Sequence, residues 1–160
     1  MEKPISLLGL QHQFGERIVS NKEIEEKYGL PEGWIIEKTG KKKGHAWENN
    51  QDAPVNASLS CFENLITIHK IPKEKIRAVF GTTNPITTDG KIDHVSLTEK
   101  FAQRAGLSQD VYVSDQSFGC GGSVIGIEAM KKWFEKQPDE TYAVYVTQDW
   151  STKMVRHRNV

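Results

Sequence analysis

The feature that most constrains this chain is an alternation of short apolar runs with helical segments through its second half. Ile76–Gly81 (IRAVFG) reads as a strand, Ser96 to Gly106 as a helix opened by a Ser-x-x-Glu cap, and Val111–Asp115 as a second strand. A helix from about Gly122 to Glu135 and a strand at Tyr142–Thr147 complete the series. Strand and helix in alternation predict an α/β layer with a mainly parallel central sheet and helices on both faces. Right-handed crossovers bring the loops that follow the strands to one edge, where such sheets gather their ligands.

The first half is less regular. Ile5–Leu10 reads as a short apolar strand, and Ser20 with Glu23 opens a helix that closes at Gly29. The following stretch, PEGWIIEKTGKKKGHAWENNQ, reads as a polar crossing with few core residues. Asp52 and Pro54 then stand in cap and first-turn positions of a helix running to about His69. Along it Val55, Leu59, Phe62, Leu65 and Ile66 recur at spacings of three and four, which makes one packing face. After Gly81 the residues TTNPITTDGKIDH read as a loop, with Asn84, Pro85, Asp89 and Gly90 as turn formers.

With 160 residues and no low-complexity stretch, a single domain spanning 1–160 is expected. Twenty-one basic and 21 acidic residues cancel, so no overall field draws the chain to nucleic acid or to an anionic membrane. No apolar run approaches the roughly 20 residues of a membrane span, and MEKPISLLGLQ is too short in apolar character for a secretion signal. A cytoplasmic location is the expectation. The cysteines, Cys61 and Cys120, fall in no metal-ligand spacing, which argues against a disulfide or a structural zinc.

Chemistry concentrates at Cys120, in the loop QSFGCGG between an expected strand and an expected helix. Gly119, Gly121 and Gly122 allow a tight turn and a close approach of substrate to main-chain amides. A helix N-terminus favours the thiolate, and its free amides would receive a developing oxyanion. The alternative is a small buried cysteine in a Gly-rich turn. A phosphate cradle fits poorly, because the loop matches neither GxxxxGK[ST] nor GxGxxG.

The ordered series VSN near the start, GWIIEKTG at 33–40, FGTTNP at 80–85, SDQSFGCGGSVIGIEAM at 114–130 and VTQDWS at 146–151 resembles the amino-terminal half of the ketoacyl-acyl-carrier-protein synthase III family, of the thiolase-like superfamily. The resemblance covers almost the whole chain. It implies a thiolase-like half fold and acyl transfer through a cysteine thioester, with Cys120 as the acylated nucleophile and Gly121 and Gly122 beside it. It places Trp34 where the family stacks a tryptophan on the adenine of coenzyme A, and Lys38 where an arginine near the same nucleotide is usual. Lysine does not reproduce a bidentate guanidinium. His94 falls near the position that guards the acyl pocket. A packing tryptophan, a solvated lysine and a surface-loop histidine are the ordinary alternatives at these three positions.

The implied substrate is a coenzyme A thioester, with no tightly bound cofactor, and the implied partners are acyl-CoA or an acyl-carrier protein. The family's catalytic histidine and asparagine lie in its second half. None of His12, His45, His69, His94 or His157 matches that histidine. A complementary thiolase-like half, in a homo- or hetero-oligomer, is the corresponding expectation. Two other readings stay open: a non-catalytic interaction module, and a thiol hydrolase pairing Cys120 with a local histidine.

Overall fold

In the computed structural model, residues 4–47, 52–83, 87–88, 91–92, 96–116 and 121–148 are described, and the backbone forms two compact units. The smaller runs from Phe14 to Ala53. In it β1 (Arg17–Ser20) pairs antiparallel with β2 (Lys43–Ala46), Ile18 opposite His45.

Between these strands lies α1 (Asn21–Tyr28), capped as its sequence requires: the Ser20 hydroxyl accepts from the Glu23 amide at 3.1 Å, and Gly29 closes the helix with φ 62°. The Glu23 carboxylate bonds Arg17 at 2.7 Å.

The expected polar crossing is corrected here, because it contains both α2 (Trp34–Thr39) and β2. What makes the helix possible is remote from it. Gly33, the N-cap, has φ 80° and no side chain to offer. The buried Glu25 carboxylate of α1 takes its place, accepting from the Gly33 amide at 3.0 Å and the Ile35 amide at 2.8 Å. A cap supplied from the preceding helix leaves no signature within the helix it caps.

The larger unit is built on a parallel sheet of order β6-β3-β7, with β3 (Ile76–Thr83) between β6 (Tyr112–Asp115) and β7 (Tyr142–Gln148). Val79 of β3 lies opposite Val113 on one side and Val144 on the other. Alternation then assigns the faces. Val79 and Val146 point into a core shared with α3 (Ala53–His69) and α4 (Leu97–Arg104), where Val55, Phe62, Leu97 and Phe101 are buried. The Phe62 and Phe101 rings meet edge to face, 5.5 Å apart at 84°.

Phe80 points the other way, toward α5 (Gly122–Phe134), with its ring centroid 6.0 Å from that of Trp133. Helices therefore cover both faces of a parallel sheet, as the alternation of elements predicts. The cap of α4 is a complete capping box between Ser96 and Glu99.

Two expectations are corrected in this unit. No strand forms at Ile5–Leu10: residues 4–13 are irregular, and Leu7 and Leu10 are more than four-fifths exposed. Apolar character without a neighbouring strand to hydrogen-bond is not enough to make a strand. The stretch after β3, expected as loop, carries a small antiparallel pair, β4 (Thr87–Thr88) and β5 (Lys91–Ile92). Thr87 lies opposite Ile92 and Thr88 opposite Lys91. Among the described residues, no helix is long and apolar enough to cross a membrane.

Candidate active site at the carboxyl edge of the parallel sheet

β3, β6 and β7 all end at the same edge of the sheet, and the connection from β6 to α5 starts there. Just past β6, the Gln116 amide donates to the Gly81 carbonyl at 2.8 Å, holding the exit of the strand on β3. Residues 117–120, Cys120 included, lie outside the described residues, as does His94. The chain is described again at Gly121, the N-cap of α5, and at Gly122, its first residue.

Gly122 is buried, and a Cβ there would meet the Gln116 carbonyl oxygen and lie 2.7 Å from the Thr82 methyl. Glycine is thus required by close approach to the sheet, at a position with ordinary helical backbone. The contacts leave Gly121 open: nothing among the described residues lies within 4 Å of a Cβ built on it. No side chain among the described residues caps α5, and its first turn carries no acidic residue.

The first turn of α5 is tied to the sheet by a pair of hydroxyls. Tyr145 of β7 shares a hydrogen bond of 2.5 Å with the Thr82 hydroxyl, and its phenol also donates toward the Gly122 and Ser123 carbonyls, each at 3.4 Å. The ring fits because residue 126 is glycine: a Cβ there would lie 2.8 Å from Tyr145 Cε2. Sequence reasoning missed this pair. A glycine in the interior of an apolar helix was the available signal, since it marks a close approach.

Trp34 and Lys38 stand one turn apart on α2, in the smaller unit. Trp34 is 39% exposed, and the two backbone amides flanking it are those held by Glu25. Lys38 is exposed and pairs with the neighbouring Glu37 at 2.7 Å. The other cysteine, Cys61, sits half-buried on α3, and desolvation pushes its thiol up, away from the reactive thiolate.

No family model and no curated protein matches this sequence. Solved structures do share its fold. A 3-oxoacyl-(acyl-carrier-protein) synthase III superimposes with a TM-score of 0.70 and 17% identity, over 88% of this chain and 40% of its own. OleA from Xanthomonas campestris, in a structure with bound lauric acid and lauroyl-CoA, gives 0.65 and 17% over 84% of this chain and 40% of its own. MvaS in complex with 3-hydroxy-3-methylglutaryl coenzyme A gives 0.61 and 16% over 76% of this chain and 28% of its own. The resemblance read in the motifs therefore holds at the level of fold: the chain has the thiolase-like α/β arrangement, and spans about two-fifths of the synthase III chain it matches.

Proposed function

We propose that this chain is the acyl-accepting part of an acyltransferase of the ketoacyl-acyl-carrier-protein synthase III type. The Cys120 thiolate attacks the thioester carbonyl of acyl-CoA or acyl-carrier protein. The tetrahedral intermediate collapses by breaking the bond to the outgoing sulfur, leaving an acyl-S-Cys120 thioester and a thiolate that takes up a proton. Carrying the reading is one observation: the sequence position of Cys120 falls between a strand that ends at the ligand-gathering edge of the sheet and a helix that begins two residues later. The amides of Gly121 and Gly122 are the nearest described candidates for receiving the oxyanion.

In this reading Trp34 offers its exposed face to the adenine of coenzyme A, Lys38 its charge to the nucleotide's phosphates, and His94 borders the acyl chain. The substrate is a coenzyme A or carrier-protein thioester and no other cofactor is bound. Carbon-carbon bond formation needs the family's histidine and asparagine, which a complementary thiolase-like half supplies. The setting is lipid synthesis in the cytoplasm.

A second reading, a non-catalytic interaction module, is favoured by one feature. The face of α5 turned from the sheet carries Val124, Ile125 and Ile127 in exposed positions, Val124 at 72%. Intact-protein mass after incubation with short and medium acyl-CoAs separates the two. An acyl mass gained by the native chain and absent from Cys120→Ala supports the transferase. Labelling of Cys120 by a small thiol reagent with no acyl adduct from any donor favours the module.

A further inference from the structure

We infer that Glu25 is a positioning residue for the adenine nucleotide of coenzyme A: its buried carboxylate fixes the backbone that carries Trp34. This role deepens the proposed function and rests on its assignment of Trp34 to that nucleotide.

A flat base gains most from an aromatic ring that is already held in place, because ordering a side chain on binding costs affinity. Trp34 is 39% exposed at the first position of α2, a helix of six residues. A helix that short is not stable alone in water, so its fixing comes from outside it. Glu25, on the preceding helix, supplies it. Its Oε2 accepts from the Gly33 amide at 3.0 Å and its Oε1 from the Ile35 amide at 2.8 Å. Between them, the amide of Trp34 itself donates to the Pro31 carbonyl at 3.1 Å. The amides of residues 33, 34 and 35 are therefore all bound, and the backbone under the exposed indole is pinned on both sides.

The same residue also holds the approach to α2. The Glu25 main-chain carbonyl accepts from the Leu30 amide at 2.9 Å and from the Gly29 amide that closes α1. One residue thus ties down the exit of the first helix through its backbone and the entry of the second through its side chain. Glu25 is 4% exposed, and a carboxylate taken out of water is costlier than a serine or aspartate cap at the helix start would be. What the remote cap secures is the conformation of residue 33. A capping side chain there would need extended backbone, whereas Gly33 has φ 80°. From that left-handed turn the chain enters α2 with Ile35 buried and Trp34 outside. Nothing among the described residues lies within 4 Å of a Cβ built on Gly33, so the space before Trp34 is open to a ligand. A pinned backbone, an exposed ring and an unobstructed flank are the features of a preorganised stacking platform.

The test uses the full chain labelled with fluorotryptophan, whose four tryptophans give four fluorine NMR resonances, that of residue 34 being identified by its loss in Trp34→Phe. Coenzyme A is titrated into the native chain, Glu25→Gln and Glu25→Asp. In the native chain the ligand shifts the residue-34 resonance to saturation. In Glu25→Gln that resonance moves or broadens before any ligand is added, and the dissociation constant read from it rises about two- to tenfold, the range for ordering one loosened side chain on binding. Glu25→Asp, which keeps the charge on a shorter side chain, falls between the two, and carries the comparison if the glutamine variant does not fold. A merely structural role would lower the folded fraction, seen as resonances at unfolded positions, and leave the dissociation constant of the folded fraction unchanged. That result, carried as far as the unfolding of both variants, or a native constant in both, overturns the role of Glu25 and leaves Trp34 its ligand. A residue-34 resonance that coenzyme A does not move in the native chain overturns both.

Discussion

Gly81 on β3 and Thr98 on α4 compete for one volume: the site a Cβ on residue 81 would fill is occupied by the Thr98 side chain, whose Cγ2 lies 2.6 Å from it. Thr98 is fully buried, and its hydroxyl has no hydrogen-bond partner among the described residues. The helix sits this close to the sheet because the strand offers no side chain at that point.

Gly81→Ala is therefore expected to destabilise the protein by about 1–3 kcal/mol through overpacking. Adding Thr98→Ala should recover part of that loss, because it removes the two nearest colliding atoms together with an unsatisfied hydroxyl while leaving the Thr98 Cβ 2.7 Å away. Urea unfolding of the two single variants and the double variant measures the coupling. Additive losses would mean that the contact is not the cause.

Gly122→Ala meets a less forgiving neighbour. The obstructing atoms are the Gln116 backbone carbonyl and the Thr82 methyl, neither at the end of a flexible chain. We expect acyl uptake from acyl-CoA to be lost and stability to fall by about 1–3 kcal/mol. Gly121→Ala, with nothing among the described residues within 4 Å, should fold as the native chain does. Intact mass and thermal unfolding of the two variants read this difference.

Glu25→Gln replaces one of the two carboxylate acceptors at the start of α2 with an amide donor that faces a backbone N–H. A loss of about 1.5–3 kcal/mol is expected, the range for hydrogen bonds to a charged group. Amide hydrogen exchange at Gly33 and Ile35 should rise above that of α1. Unchanged protection there would count against the cap.

The Lys75–Glu140 pair, 2.6 Å apart, gives a prediction in pH. The hydrogen bond from Lys75, and then its charge, hold the Glu140 carboxyl below the usual glutamate range, and the same bond holds the Lys75 ammonium above its own. For Glu140 the folded value is the lower one, so its contribution is complete above the ordinary glutamate range and is lost as pH falls through that lowered value. For Lys75 the folded value is the higher one, so its contribution is lost as pH rises through the raised value. Both groups are exposed, which keeps the effect small and sensitive to salt. Carboxyl chemical shifts recorded against pH should show Glu140 titrating low in the native chain and normally in Lys75→Met.

The sheet was legible because its strands β3 and β7 read as nearly continuous apolar runs, IRAVF and YAVYV, and the helix after β3 opens with a clear cap at Ser96. Helix α3 was equally plain from the period of Val55, Leu59 and Phe62. What escaped were features made by residues far apart in sequence. The cap of α2 comes from Glu25, and β2 exists because β1 lies beside it. Ile5–Leu10 erred in the opposite direction, with strand-like composition but no partner strand among the described residues. In the candidate site, the glycine at 122 was read from its pattern as part of a tight turn, and it lies against the Gln116 carbonyl at the start of α5. Tyr145 was hidden in an apolar strand, where its hydroxyl gives no periodic signal. Cys120 and His94 lie outside the described residues.

The order of the parallel sheet also bears on how a ribosome delivers this chain. Its central strand, β3, is made first and waits for both neighbours: Ala78 pairs with Tyr112, and Val79 with Val144. Until the last strand leaves the exit tunnel, one edge of the most apolar segment is unpaired, and no local hairpin can shield it, since parallel partners require a crossover. Pairings at such long separation close slowly and are exposed to misassociation while they do. Synthesis halted before Tyr142 would leave that edge bare, so ribosome-bound chains of this protein should recruit a chaperone up to that point and shed it soon after.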